Sequence, residues 1–282
     1  MIRAIIKTFV YGAIFISLCT VGLCMETNLL LGLPFNSFYF YLLVFSATLG
    51  QYNIHYYIKR EANLDSDRFL WSLQHKKIHL ILNIIGAIGL IIGLFHLKPK
   101  NFIVLGIIAA ITILYSFPFL PFKKRKRLKD FGLLKIFTLS YVWTLITVWF
   151  PVITLTKVTP DFQLIFIQRF VFMFVLCLAF DIRDVESDGR KGIHTLPVVL
   201  GKRKCYQLII LSLVIFLVVS LMHFRIALHF MELIGMILSA LATYFIIEYG
   251  KTKNTDMLYL AGVDGMMLLQ AILIGVGSIG MH

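Results

Sequence analysis

The sequence predicts an all-α, polytopic membrane protein, and three observations carry that prediction. Hydrophobic residues make up 59% of the 282-residue chain, against about 45–50% in soluble domains. Mean hydropathy is +0.88. Apolar runs of about 20 residues recur from end to end, each long enough for a hydrocarbon core about 30 Å thick. Lipid offers the backbone no hydrogen-bond partner, so runs of this kind must satisfy themselves as helices.

Nine spans follow in order. The first, at 8–25, comes after a basic start (Arg3, Lys7). No small-residue cleavage site follows it, so it reads as a span and not as a cleaved leader. Leu23 before Cys24 also argues against lipoprotein processing. The others lie at 36–58, 78–97, 102–119, 132–156, 162–180, 206–223, 228–248 and 256–279. No linker or repeat divides them, so residues 1–282 are expected to form a single domain. Cys19, Cys24, Cys177 and Cys205 form no C-x-x-C and sit in or beside apolar runs, which makes them small buried hydrophobes.

The net charge of +13 would suggest nucleic acid in a soluble protein. Here it reads as topology, and no nucleic-acid partner is expected. Of the 27 Lys and Arg, all but Lys98, Lys100, Lys157, Arg169 and Arg225 fall on one side of the nine-span arrangement. By the positive-inside rule that side, with the N-terminus, is cytoplasmic. The membrane expected is a bacterial inner membrane. The run KKRKRLKD at 123–130 is read mainly as a topology signal in contact with anionic lipid.

At the cytoplasmic end of the sixth span stands FDIRDVESDGRKGIHTLPVVLG, at 180–201. Asp181, Asp184 and Asp188 are spaced i, i+3, i+7, so on one helix they lie within about 60° of each other. Three carboxylates together repel, and a divalent cation removes that cost. Mg²⁺ takes oxygen ligands, with one or two carboxylates completed by water and substrate phosphate. The aspartates therefore suggest a metal–phosphate site at the membrane surface. The plainer alternative is a solvated loop, with Asp184 and Asp188 paired to Arg183, Arg190 or Lys191.

The stretch resembles the second aspartate-rich motif of the UbiA superfamily of intramembrane prenyltransferases. Asp181, Asp184, Asp188, Lys191, Gly192, Thr195, Leu196, Pro197 and Gly201 match its pattern. The resemblance implies nine helices around a central cavity, in which two facing motifs each hold Mg²⁺ on the diphosphate of a polyprenyl donor. It implies transfer of the polyprenyl group to an aromatic, quinone-precursor-like acceptor. The metal ligands implied are Asp181, Asp184, Asp188, Asn53 and Glu61, with Asn53, Arg183, Lys191 and Lys123 on the diphosphate and Asp184, Asp188 and Tyr115 as catalytic residues. Two departures stand out. In QYNIHYYIKREANLDSD at 51–67, Tyr57 occupies the place of the first motif's leading aspartate, and Glu61 that of the next. Phe119 occupies the place of a lysine expected four residues after Tyr115, leaving Lys123, Lys124 or Lys129 to reach instead.

The departures admit a second reading, a weakened relative that binds a prenyl lipid or a partner. Glu232 and Asp264, in apolar runs, motivate a third, a transporter. His75 and His79 share a helix face, but no third metal ligand is evident, so they read as interfacial histidines beside Lys76 and Lys77. His55 reads as a packing or hydrogen-bonding residue, and Trp143 as a packing residue. Acceptor identity, prenyl length and oligomeric state are not encoded in any motif.

Overall fold

The computed structural model describes residues 2–58, 66–116, 132–153 and 159–278. Among them every regular element is helical. The helices are α1 (Ile2–Tyr11), α2 (Ile14–Leu30), α3 (Phe38–Ile58), α4 (Asp67–Gln74), α5 (Lys76–Phe95), α6 (Pro99–Ser116), α7 (Gly132–Thr144), α8 (Phe150–Val152), α9 (Pro160–Arg183), α10 (Val185–Arg190), α11 (Leu196–Leu200), α12 (Lys202–Ala227), α13 (Phe230–Gly250) and α14 (Gly265–Ser278). π-helical turns at Leu145–Trp149 and Leu258–Val263 lead into α8 and α14.

A helix stands at each of the nine expected positions, but the span count is supported only in part. Among the described residues, six helices are long and apolar enough to cross a membrane, and the bent pair α1–α2 would make a seventh. That pair turns by 56° at Ala13, whose φ of 64° lies in the left-handed region. Helix α6 is apolar but shorter. Helix α3 is not among the six; Gln51, Asn53, His55 and five tyrosines dilute its apolar character. Many of the hydroxyls inside the helices are satisfied locally. Ser17, Thr20, Thr48, Thr144, Thr147, Ser220 and Thr243 each donate to the carbonyl four residues back, which suits a medium without water.

The chain forms two compact units, residues 1–98 with 245–282, and residues 99–244. In the first, α3 packs along α5, and α2 packs against α14 and α3. Gly86, Gly89 and Gly93 of α5 lie against Ser46, Gly50, Leu43 and Tyr39 of α3. Small residues let the two backbones approach, the usual basis of close packing between membrane helices. In the second unit, α9 is the central helix, with α12 and α7 against it. Its buried residues include Phe172, Val175 and Leu178, none of them solvent-exposed. Thr159 caps it by accepting from the Phe162 N–H, with Pro160 at its first turn.

Candidate functional site

Helix α9 delivers Asp181 to its last turn and ends at Arg183. The chain then pivots at Asp184 and resumes as α10, which carries Asp188. This pivot breaks the single helical face expected for the three aspartates. Asp181 and Asp188 are buried, with relative exposures of 4% and 7%. Asp184 is half-buried. Its carboxylate accepts two bonds from its neighbour, Arg183 Nε to Oδ1 at 2.8 Å and Nη2 to Oδ2 at 3.0 Å. The plainer pairing weighed for Asp184 is thus present. Lys191 is exposed.

Asp181 and Asp188 converge on a residue that motif reading passed over. Lys135, in the first turn of α7, places its ammonium 2.8 Å from Asp181 Oδ1 and 3.3 Å from Asp188 Oδ2. Tyr115, at the end of α6 and half-buried, lies within electrostatic range of Lys135, Asp181 and Asp188. The sequence signal for Lys135 was present: a lone cation in the apolar run GLLKIFTLSYVW needs an acidic partner. Counted with the basic segment before it, it passed as topology.

The α7 start is fixed by close backbone contact. A Cβ on Gly132 would run into the His194 carbonyl and the Thr195 N–H. The turn between α10 and α11 therefore rests directly on the helix that carries Lys135. Gly192 within that turn and Gly201 at the end of α11 both have positive φ, in a region where glycine is favoured. Gly132→Ala is expected to force backbone apart and to destabilise the protein by about 1–3 kcal/mol. A lowered thermal midpoint in detergent, with weaker diphosphate binding, is the outcome that checks it.

Oxygen chemistry here fits a hard divalent cation. Asp181 Oδ2 is buried and has no hydrogen-bond partner, although a buried carboxylate oxygen needs one. Among the described residues no group of three or more His, Cys, Asp or Glu is arranged to hold a metal. The set is therefore two carboxylates, Asp181 and Asp188, with Asp184 held by Arg183. Two suffice for Mg²⁺ where phosphate and water complete the shell.

In the other unit, Asn53 is already engaged. Its Nδ2 donates to the Gly12 carbonyl at 2.9 Å and the Leu49 carbonyl at 2.8 Å. Its Oδ1 therefore accepts, from His79 Nδ1 at 2.6 Å. His79 is fully buried and not interfacial as expected, and His75 stacks on Trp71. Tyr57 is 45% exposed. Glu61, Asp65, Phe119, Lys123, Lys124 and Lys129 lie outside the described residues. His55 is exposed, edge-on to Tyr56. Trp143 is buried. Glu232 pairs with His229 at 3.2 Å, and Glu248 with Lys251.

A sequence model of the UbiA prenyltransferase family matches residues 72–259. The chain belongs to that family. The UbiA match takes in Tyr115, Lys135 and the three aspartates, and begins after Asn53 and Tyr57. Solved structures share the UbiA fold. A UbiA homolog from Archaeoglobus fulgidus bound to DMAPP and Mg²⁺ is 15% identical with a TM-score of 0.64, over 98% of this chain and 99% of that one. The same organism's homolog bound to GPP and Mg²⁺ is 16% identical with a TM-score of 0.59, over 96% of each chain. A structure of digeranylgeranylglyceryl phosphate synthase in membranes is 14% identical with a TM-score of 0.58, over 99% of this chain and 100% of that one. No curated protein matches the chain.

Proposed function

We propose that the chain is an intramembrane prenyltransferase that moves a polyprenyl group from its diphosphate to an aromatic, quinone-precursor-like acceptor, with Mg²⁺ as cofactor. The observation that carries this reading is the buried Asp181–Lys135–Asp188 cluster, with one oxygen of Asp181 left without a partner. Family membership supports it, as do the prenyl diphosphates and Mg²⁺ held by the Archaeoglobus homologs.

Asp181 and Asp188 would hold the metal. When bound there, it supplies positive charge to the departing pyrophosphate. Lys135 donates to the diphosphate oxygens, since its ammonium is a compact charge with three donors already placed at the carboxylates. Its release from the two aspartates requires another cation in its place, which couples metal and diphosphate binding. Arg183 and Lys191, beside the same turn, add positive charge along the diphosphate path, with Asp184 orienting Arg183. Tyr115 presents a phenol and an aromatic face next to the cluster, able to shield a cation-like prenyl carbon. The basic excess around this end supports a cytoplasmic placement.

The exposed Tyr57 and the engaged Asn53 favour a second reading, a relative that binds a prenyl diphosphate without turning it over. One experiment separates the two. The purified chain in lipid nanodiscs is given geranyl diphosphate, Mg²⁺ and a panel of hydroxylated aromatic acids. Mg²⁺-dependent pyrophosphate release with acceptor is the expected result. Binding without release across the panel supports the second reading, and no Mg²⁺-dependent binding at all defeats both.

A further inference from the structure

Helix α1 meets α2 at a corner that the fold builds and holds. The two helices turn by 56°, with Ala13 fully buried at a φ of 64°. A residue with a Cβ keeps such a backbone only where its surroundings fix it. They do so here. A break in a helix frees backbone carbonyls that lipid cannot satisfy. The Gly12 carbonyl accepts from Asn53 Nδ2 at 2.9 Å, and the Ala13 carbonyl from Ser17 Oγ at 2.7 Å. Just before the corner, Val10 and Tyr11 are buried with Trp71, and Ile78, Met257 and Leu260 pack against that cluster. The Tyr11 and Trp71 rings meet edge-on at 5.8 Å. Packing therefore sets the direction in which α1 leaves α2.

Away from the corner, one face of α1 is left open. Ile2, Ile5 and Ile6 are 72%, 61% and 46% exposed. At about 100° per residue they fall within one sector about 100° wide. Phe9 lies in the same sector, but its ring leans on Phe15 across the bend, at 5.9 Å. Arg3 and Lys7 are exposed on the flank of this stripe, four residues apart, and α1 contains no acid. An apolar stripe edged by cations is the pattern of a helix that lies in a membrane interface, not of one that crosses hydrocarbon. Crossing does not require α1. Helix α2 has 17 residues, within the range of about 17–25 that spans a bilayer.

We propose that α1 lies along the membrane surface, with its isoleucines seated at the boundary of headgroups and acyl chains and with Arg3 and Lys7 on the phosphates of anionic phospholipid. Charge selects the occupant. A neutral interface would take the isoleucines and leave both cations without a partner of opposite sign, whereas anionic lipid attracts basic residues beside a span. Lys76 and Lys77, exposed at the start of α5 beside Ile78, put more positive charge at the corner where α1 is held. The first span is then α2 alone. Because Asn53 and Trp71 hold the corner, the seat of α1 also fixes how deep α2 sits in the bilayer. This inference is independent of the prenyltransferase reading.

The test uses the full chain, one copy per nanodisc, in phosphatidylcholine with and without phosphatidylglycerol. All four natural cysteines are buried, so a spin label is directed to Ile2→Cys, Arg3→Cys, Ile5→Cys, Ile6→Cys or Lys7→Cys, with the natural chain as the labelling control. Collision with oxygen and with a neutral nickel chelate reads the depth of each label. With phosphatidylglycerol, labels at 2, 5 and 6 are expected at one shallow depth, and those at 3 and 7 in water. A depth that instead changes steadily along the chain, by about 1.5 Å per residue, makes α1 part of a span and overturns the proposal. Labels at 2, 5 and 6 shielded from both probes mean a protein contact, and labels open to nickel at all five positions mean a helix in water; either result overturns it too. The lipid is tested by charge. Omitting phosphatidylglycerol is expected to raise nickel access at Ile5→Cys at least fivefold, about the effect of one basic residue at an anionic surface. Arg3→Gln/Lys7→Gln with phosphatidylglycerol present is expected to do the same. A label that responds to neither change defeats the anionic-lipid assignment. The double variant is expected to keep the natural thermal midpoint in phosphatidylcholine. A lowered midpoint there means that Arg3 and Lys7 hold the fold and not lipid, which also defeats it.

Discussion

Asp188→Asn is expected to slow Mg²⁺-dependent pyrophosphate release by about 10²–10³-fold, the scale on which removal of one preorganised electrostatic contact acts. Asp181→Asn is expected to do the same, and Asp184→Asn distinctly less. The order follows from geometry. Asp181 and Asp188 are buried and share Lys135. Asp184 is half-buried and holds Arg183 through two bonds. Neutralising Asp188 removes a charge from a low-dielectric pair whose remaining carboxylate must then hold both the cation and Lys135. Neutralising Asp184 loosens Arg183 from a partly exposed carboxylate, a smaller loss than removing one partner of a buried pair. Steady-state release at saturating geranyl diphosphate, with the Mg²⁺ dependence of each variant, gives the ranking. Equal losses for all three aspartates would mean that they act as one three-carboxylate set in the working state, and the two-carboxylate assignment would fail.

Helix content and the positions of the nine apolar segments were legible in the sequence because hydropathy is written locally. The span count was less so. Whether α3 crosses a bilayer depends on what satisfies Asn53 and His79, and that is a tertiary fact: the Asn53 amide reaches Gly12, 41 residues away, and His79 lies on another helix. The aspartate stretch was legible as a motif, but its division of labour was not. Helical spacing assumes an unbroken helix, and the pivot at Asp184 between α9 and α10 turns that residue toward Arg183. Lys135 escaped notice for a simple reason. It follows a run of basic residues that membrane topology already explained, and only its contact with two buried carboxylates distinguishes it from a sorting signal.

Lys135→Met is expected to destabilise the protein in EDTA by about 3–5 kcal/mol, the usual cost of removing one partner from a buried ion pair. Two carboxylates, with side-chain exposures of 5% and 10%, lose the only ammonium they share among the described residues. Mutual repulsion and burial then both act against the charged pair. Mg²⁺ should reverse much of the loss, because a ligand that binds the folded state stabilises it in proportion to its affinity. The variant no longer needs to release Lys135 before accepting the cation, so its affinity for Mg²⁺ should rise above that of the natural chain. Turnover should nevertheless fall, since the freed ammonium is missing from the diphosphate. Thermal midpoints of both proteins across a Mg²⁺ titration read the first two effects, and pyrophosphate release reads the third. The double variant Lys135→Met/Asp188→Asn should be more stable in EDTA than Lys135→Met alone, a coupling expected only of groups in direct contact. A midpoint for Lys135→Met that does not respond to Mg²⁺ more strongly than that of the natural chain would remove Asp181 and Asp188 as the metal-holding pair, and with them the physical basis for chemistry at this end of α9.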